Sequence, residues 1–237
     1  MKQIVPLILG IALSLPLSTP ALAQNDENEF TDPDPWVRAN RVTHNFNDFA
    51  DRILLRPVAV AYSKVIPRLA RRGVGNIFSN LGDVGNALNN VMQGKVADGA
   101  GDLARVLINS TVGIGGLFDA ASRIGLGEHE EDWGQTFAKW GVPQGPYVVI
   151  PGLGPGSVRD GVARIFDGVL DPVRYLYPVS HRNGTYTLRV VRNRANLLAV
   201  ESVVFGDKYI FYRDAYLQRR EYLVNDGEVS DPFADDF

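Results

Sequence analysis

The sequence predicts a mainly α-helical fold in one compact domain. Apolar residues recur every three or four positions through most of residues 36–223, the period of an amphipathic helix. Extended patterning is confined to Tyr147–Ile150 and a short stretch at 186–191. No repeat or linker interrupts residues 35–225, a length that suits one domain with a sizeable core. With 45% hydrophobic and 22% charged residues, the 237-residue chain has the composition of a folded protein.

The elements follow in order. Val42, Phe46, Phe49 and Ile53 form one stripe of a first helix over residues 36–54. Pro57 suits the first turn of a second helix, where its missing N–H costs nothing, and Pro67 ends or kinks that helix after Val58, Tyr62, Val65 and Ile66. Ile77, Leu81, Val84, Leu88 and Val91 mark a third helix, with Gly94 as its stop. Val96, Ala100, Leu103 and Leu107 mark a fourth. Later helices are expected over Val158–Leu170, 188–205 and 208–223. Stripes of this kind normally pack into a core, which is the expectation here.

The two ends differ from the body. Lys2, the apolar run from Ile4 to Leu17 and Ala21-Leu22-Ala23 have the form of a cleaved export signal over residues 1–23, with Gln24 as the mature start. Residues 24–34 and 226–237 each carry five acids and no base, and both are expected to be solvated, disordered segments. The body between them, residues 35–225, is modestly basic, too weakly so for a nucleic-acid footprint.

Several chemistries are poorly supported. The chain has no cysteine, which removes thiol nucleophiles and thiolate metal sites, and His44, His129 and His181 lack metal-ligand spacing. Neither glycine-rich phosphate fingerprint occurs, and Pro155 spoils the Gly152–Ser157 run as a cradle. Ser157, Asp160 and His181 can be assembled into a triad only on paper, since Ser157 lies outside any G-x-S-x-G turn. The acids of Glu128-His129-Glu130-Glu131-Asp132 suit the positive end of a following helix better than a cation. No catalytic residue, metal or cofactor is therefore expected.

One segment is out of keeping with a soluble loop. Residues 140–157 read WGVPQGPYVVIPGLGPGS, with five glycines, four prolines and no charge. Surface loops are normally polar. Pro143, Pro146, Pro151 and Pro155 stiffen this one, while its glycines allow positive φ and close backbone approach.

These residues also carry a resemblance. Asp34-Pro35-Trp36, Asn45-Phe46-Asn47, Arg56-Pro57-Val58-Ala59 and Gly115-Gly116-Leu117-Phe118-Asp119 resemble the MlaA (VacJ) family of Gram-negative bacteria. The likeness is strongest at Glu131-Asp132-Trp133-Gly134-Gln135-Thr136, Trp140-Gly141-Val142 and Gly145-Pro146-Tyr147, and returns at Arg213-Asp214-Ala215-Tyr216. It covers about residues 34–225 and weakens near 171–184. The resemblance implies a helical disc in the inner leaflet of the outer membrane, with amphipathic helices around a central channel and one apolar Gly/Pro-rich hairpin. It implies a phospholipid transport protein that removes stray phospholipid from the outer leaflet. The expected partners are phospholipids, an outer-membrane porin trimer and the periplasmic carrier MlaC, with no nucleic acid.

On that reading Trp140, Pro143, Pro146, Tyr147, Val148, Val149, Ile150, Pro151 and Leu153 form the hairpin bordering the channel. Asn45 and Phe46 lie on the seam that the first helix turns to channel or lipid. Arg159, Arg182 and Arg189 are the candidate phosphate contacts, because a planar guanidinium binds two oxygens at once. The competing readings are a porin-associated scaffold that conducts no lipid and a periplasmic lipid hydrolase. The family commonly carries an acylated cysteine after its signal, whereas Ala23-Gln24 stands at that junction here. An unacylated chain would have to hold the membrane by its own apolar area and porin contacts.

Overall fold

The computed structural model describes residues 33–228; the expected export signal, most of the acidic N-terminal segment and the last part of the acidic tail lie outside the described residues. Nine α-helices and one two-stranded hairpin make up the described body. Helix α1 (Val37–Ala50) continues through a π-helical turn, Asp51–Leu55, into α2 (Arg56–Val65). Pro57 stands in the first turn of α2, as expected, and the π turn lets α1 run into it without a gap. A proline lacks the N–H for its backward hydrogen bond and crowds the carbonyl four residues earlier, and a widened turn relieves both. Pro67 then does end the run, and α3 (Arg68–Met92) and α4 (Val96–Thr111) pack as a hairpin around Gly94, whose φ is +86°.

A short α5 (Ala120–Arg123) leads to α6 (Trp133–Lys139), which is capped by the Asp132 carboxylate accepting the Gln135 N–H at 2.8 Å. Strands β1 (Tyr147–Ile150) and β2 (Gly154–Ser157) pair antiparallel, with Tyr147 opposite Ser157 and Ile150 opposite Gly154. Ser157 ends β2 and caps α7 (Val158–Leu170), its hydroxyl accepting the Asp160 N–H at 3.2 Å. A 3-10 turn at Pro172–Tyr175 leads to α8 (Val179–Leu197), a further turn at Glu201–Val203 follows, and α9 (Lys208–Val224) closes the body.

Two sequence expectations are corrected in this region. Residues 186–191 are helical, and the helix placed at 188–205 starts at Val179 and stops at Leu197. Tyr186, Thr187, Val190 and Val191 have strand-like side chains, but α8 packs along α2, with Val191 and Ala195 buried, and tertiary packing overrides so weak a preference. The early stop follows from Arg194, which holds Asp51 at 2.7 Å and also pairs with Glu201, drawing the chain back on itself.

The larger correction concerns the stripes. Val42, Phe46, Phe49 and Ile53 do share one face of α1 and its π turn, yet that face is exposed, at 58–71% of each residue. Val84, Leu88 and Val91 on α3, and Val96, Leu103 and Leu107 on α4, are exposed as well. The interior instead holds Asn80, Asp83, Asn86, Asn89, Asn90, Asp102, Arg105 and Asn109, all buried. Among the described residues, polar and charged side chains outnumber apolar ones in the fully buried set. Buried polar groups persist when hydrogen-bonded, and each of these side chains makes at least one such bond, although the Asn80 and Asn90 Oδ1 atoms have none. Arg105 Nε donates to Asp83 at 3.1 Å, its Nη1 donates to the Leu126 carbonyl at 2.7 Å, and Asn90 donates to Asp102 at 2.9 Å. Burial pushes Asp83 up to about 6, against the pull of Arg105. The small apolar core lies elsewhere, where Tyr147 and Val149 meet Tyr209, Tyr216 and Leu217.

The ends of the body are pinned. Asp34, counted with the solvated acidic segment, is buried and accepts the Asn40 amide at 2.8 Å and the Tyr209 hydroxyl. Asp226, counted with the acidic tail, pairs with Lys95.

Candidate functional site

A cavity of about 610 Å³ opens between α3, α6, α7 and α8. Its wall is amphipathic. Phe78, Leu81, Leu170 and Leu223 supply apolar surface, while Asn86, Asn89 and Gln135 supply amides. Asp132, Asp167, Asp171 and Glu131 bring carboxylates, and Arg189, Arg192 and Arg219 bring guanidiniums. Gly82 and Gly85 of α3 face open space: a Cβ at either meets nothing within 4 Å.

The helices position these groups through charge-assisted bonds, which hold direction more firmly than neutral ones. Arg189 binds Asp171 through both Nη atoms, at 2.6 and 3.0 Å, with its guanidinium 5.1 Å from the Phe78 ring centre. Arg220 reaches from α9 and takes both Asp132 oxygens at 2.6 and 2.7 Å, and its Nε lies 2.8 Å from Asp160. That reach depends on Gly134, because a Cβ there would stand 2.1 Å from the Arg220 guanidinium. Burial raises Asp132, but the Arg220 bonds and charge more than reverse it and hold the carboxyl below its usual range. Asp167 accepts the Trp133 N–H at 3.0 Å, and burial pushes its carboxyl up to about 6.

Of the hairpin, seam and phosphate-contact candidates, Arg189 lines this cavity and the others do not. Arg159 is buried and tied to Asp160 at 3.0 Å, and Arg182 is half-buried on α8. In the hairpin, Tyr147 and Val149 are buried, Val148, Ile150 and Pro146 are half-buried, and Trp140, Pro143, Pro151 and Leu153 are exposed. Trp140 packs edge-on to Trp133, with ring centres 5.9 Å apart. Ser157 is a helix cap, and the carboxylate of Asp160 serves Arg159, Arg220 and Tyr216.

Helix α1 grips the hairpin through two asparagines. Asn40 donates to the Tyr147 carbonyl at 3.0 Å and accepts the Val149 N–H at 2.8 Å. Asn47, two turns on, donates to the Ile150 carbonyl at 3.0 Å and accepts the Gly152 N–H at 2.8 Å. Each amide thus replaces a neighbouring peptide along the free edge of β1. Asn45 and Phe46, flagged beside this pair, both point to the exposed side.

The acids of the Glu128–Asp132 run, expected before a helix, do line the cavity, but sequence reasoning missed Asp167 and Asp171. Asp167 and Asp171 stand four apart at the end of α7, a helical spacing, but their partners lie 34 residues back at Trp133 and 18 onward at Arg189. No local pattern joins such pairs.

A polar interior, an apolar exterior on short helices and a cavity walled by both kinds of group define a helical protein of reversed polarity. Among the described residues no helix is long and apolar enough to cross a membrane. A model of the MlaA lipoprotein family matches residues 32–223, and the chain belongs to that family. It is 33% identical over 203 residues to the intermembrane phospholipid transport system lipoprotein MlaA of Escherichia coli K12, covering 83% of this chain and 80% of that one. The protein of the same name from Haemophilus influenzae is 27% identical over 94% of this chain and 92% of its own length. A solved chain described under the structural basis for maintenance of bacterial outer membrane lipid asymmetry superposes with a TM-score of 0.72 at 32% identity, covering 81% of this chain and 99% of that one.

Proposed function

We propose that this chain is the phospholipid-removing component of an outer-membrane lipid-asymmetry system. The observation that carries the reading is the reversed polarity around an amphipathic cavity. Apolar side chains outside suit a surrounding of acyl chains, where water no longer drives them inward. The cavity offers acyl chains Phe78, Leu81, Leu170 and Leu223, and offers a headgroup the amides and guanidiniums opposite. A phospholipid entering from the outer leaflet passes along this wall, and a periplasmic carrier of the MlaC kind receives it. A porin trimer is the natural neighbour for the exposed apolar helices in the plane of the membrane. The body lies in the periplasmic leaflet, with the hairpin bordering the lipid path.

Blocking the cavity tests this reading. Gly85→Leu places a large apolar side chain into open space, and the change favours the helix by about 1 kcal/mol, so folding is spared. The expected result is normal protein abundance with outer-leaflet phospholipid accumulating as in a strain lacking the protein. Normal clearance with a filled cavity would leave only the scaffold reading.

A further inference from the structure

A second cavity, of about 470 Å³, opens at the first turns of α3 and is lined by Arg68, Arg71, Arg72 and Arg192. It meets the larger cavity at Ser79, Glu128 and Arg192, which line both. Among the described residues, none of the four arginines forms an ion pair; the Arg192 Nη1 donates only to the neighbouring Asn193 side chain at 3.3 Å. By contrast, Arg105, Arg189, Arg194 and Arg220 are each held by a carboxylate. The Nε of Arg71 is shut off from solvent and has no hydrogen-bond partner. Such a buried donor costs stability until an acceptor arrives.

The two acids in this wall are already engaged. Asp119 caps α5 and accepts the Ser122 N–H at 3.1 Å, and Glu128 accepts the Ser79 hydroxyl at 2.7 Å. Both also lie within 3.8 Å of the buried Arg105 guanidinium. The arginine set therefore keeps a positive surplus on the cavity side. We infer that Arg68, Arg71, Arg72 and Arg192 form an anion site for a phosphate group, placed at an entrance to the larger cavity. Several guanidiniums converging from two helices match the tetrahedral oxygens of a phosphate better than a single carboxylate. The binding claim stands on this geometry; that the phosphate belongs to a lipid headgroup rests on the transport reading.

Gly75 provides a variant that keeps every charge. A Cβ at this position would lie 2.9 Å from the Arg192 guanidinium, so Gly75→Ala pushes the flexible end of that side chain aside without disturbing the helix. The experiment is calorimetric titration of the full chain in neutral detergent with dihexanoylphosphatidylglycerol, inorganic phosphate or dihexanoylglycerol. Wild type should bind a phosphate-bearing probe, and Arg71→Gln should weaken it about tenfold or more. Gly75→Ala should weaken it severalfold, and the phosphate-free lipid should be indifferent to both changes. Arg68→Gln, at an exposed position, keeps the test open if Arg71→Gln loses helical circular dichroism. Tighter binding of the lipid than of phosphate assigns the site to a headgroup, and equal binding assigns it to a free anion. No phosphate binding, or binding unchanged by all three substitutions, overturns the site. Failure of the transport reading would show separately, as clearance unaffected by Gly85→Leu.

Discussion

Asp167 sits where the cavity wall meets α6, half-buried and holding the Trp133 N–H. Burial lifts its carboxyl from the ordinary 3.8 to about 6, so between those values the folded chain holds a proton that the unfolded chain releases. Stability therefore falls as pH rises through that window, and the loss persists above it. Asp132 acts in the opposite sense: its carboxyl is held low by Arg220, and its contribution is present at neutral pH and lost on acidification. Asp167→Asn keeps the acceptor for Trp133 but cannot ionise. The variant should be more resistant to denaturant than wild type at pH 7.5, with the gain shrinking toward nothing at pH 4. A constant difference at both pH values would show that Asp167 titrates normally.

At the level of elements, the seven-residue spacing of Asn40 and Asn47 matters more than the identity of what lies between them. Two turns of α1 bring both amides to one face, opposite the free edge of β1. Deleting Asn45 and Phe46 turns everything beyond them by about 200° and slides Phe49 into the place of Asn47. The Asn40 grip survives and the Asn47 grip is lost; the exposed Gly152 N–H is left to water, while the Ile150 carbonyl keeps the Leu153 N–H at 3.1 Å. Amide exchange at Gly152 should accelerate while Val149 stays protected, and Asn47→Ala should reproduce the effect without the rotation. Equal loss of protection at both amides would mean that α1 had detached altogether.

The helices and the hairpin were legible because each has a local cause: a three-four period, a capping Asp132 or Ser157, a proline-stiffened turn. The clamps and the cavity were not. Asn40 works on Tyr147 across 107 residues, and Arg189 finds Asp171 and Phe78 only after α3, α7 and α8 are assembled. The period also gives the same answer for a stripe facing in or out: it put Phe49 in a core, and only the resemblance turned Phe46 toward channel or lipid.

For the whole molecule the question is what keeps such a surface from aggregating, since contiguous apolar patches on water-soluble proteins are rarely large. Val42, Phe46, Phe49, Ile53 and Leu54 run along α1 and its π turn, and Val84, Leu88, Val91, Val96, Leu103 and Leu107 cover α3 and α4. Transfer of one such side chain out of water is worth about 1.5–3 kcal/mol, so several of them together rival the burial of an acyl chain. The sequence given contains no cysteine to acylate. Chain starting at Gln24 should therefore remain with outer membranes after a carbonate wash. Phe46→Asp with Phe49→Asp should shift a large part of it to the soluble fraction while leaving thermal unfolding of the polar interior nearly unchanged, because both side chains are exposed. Retention of that double variant would place the hold on other surfaces of the body. Release of the unaltered chain would mean that the apolar face is covered by protein in the periplasm and not by lipid.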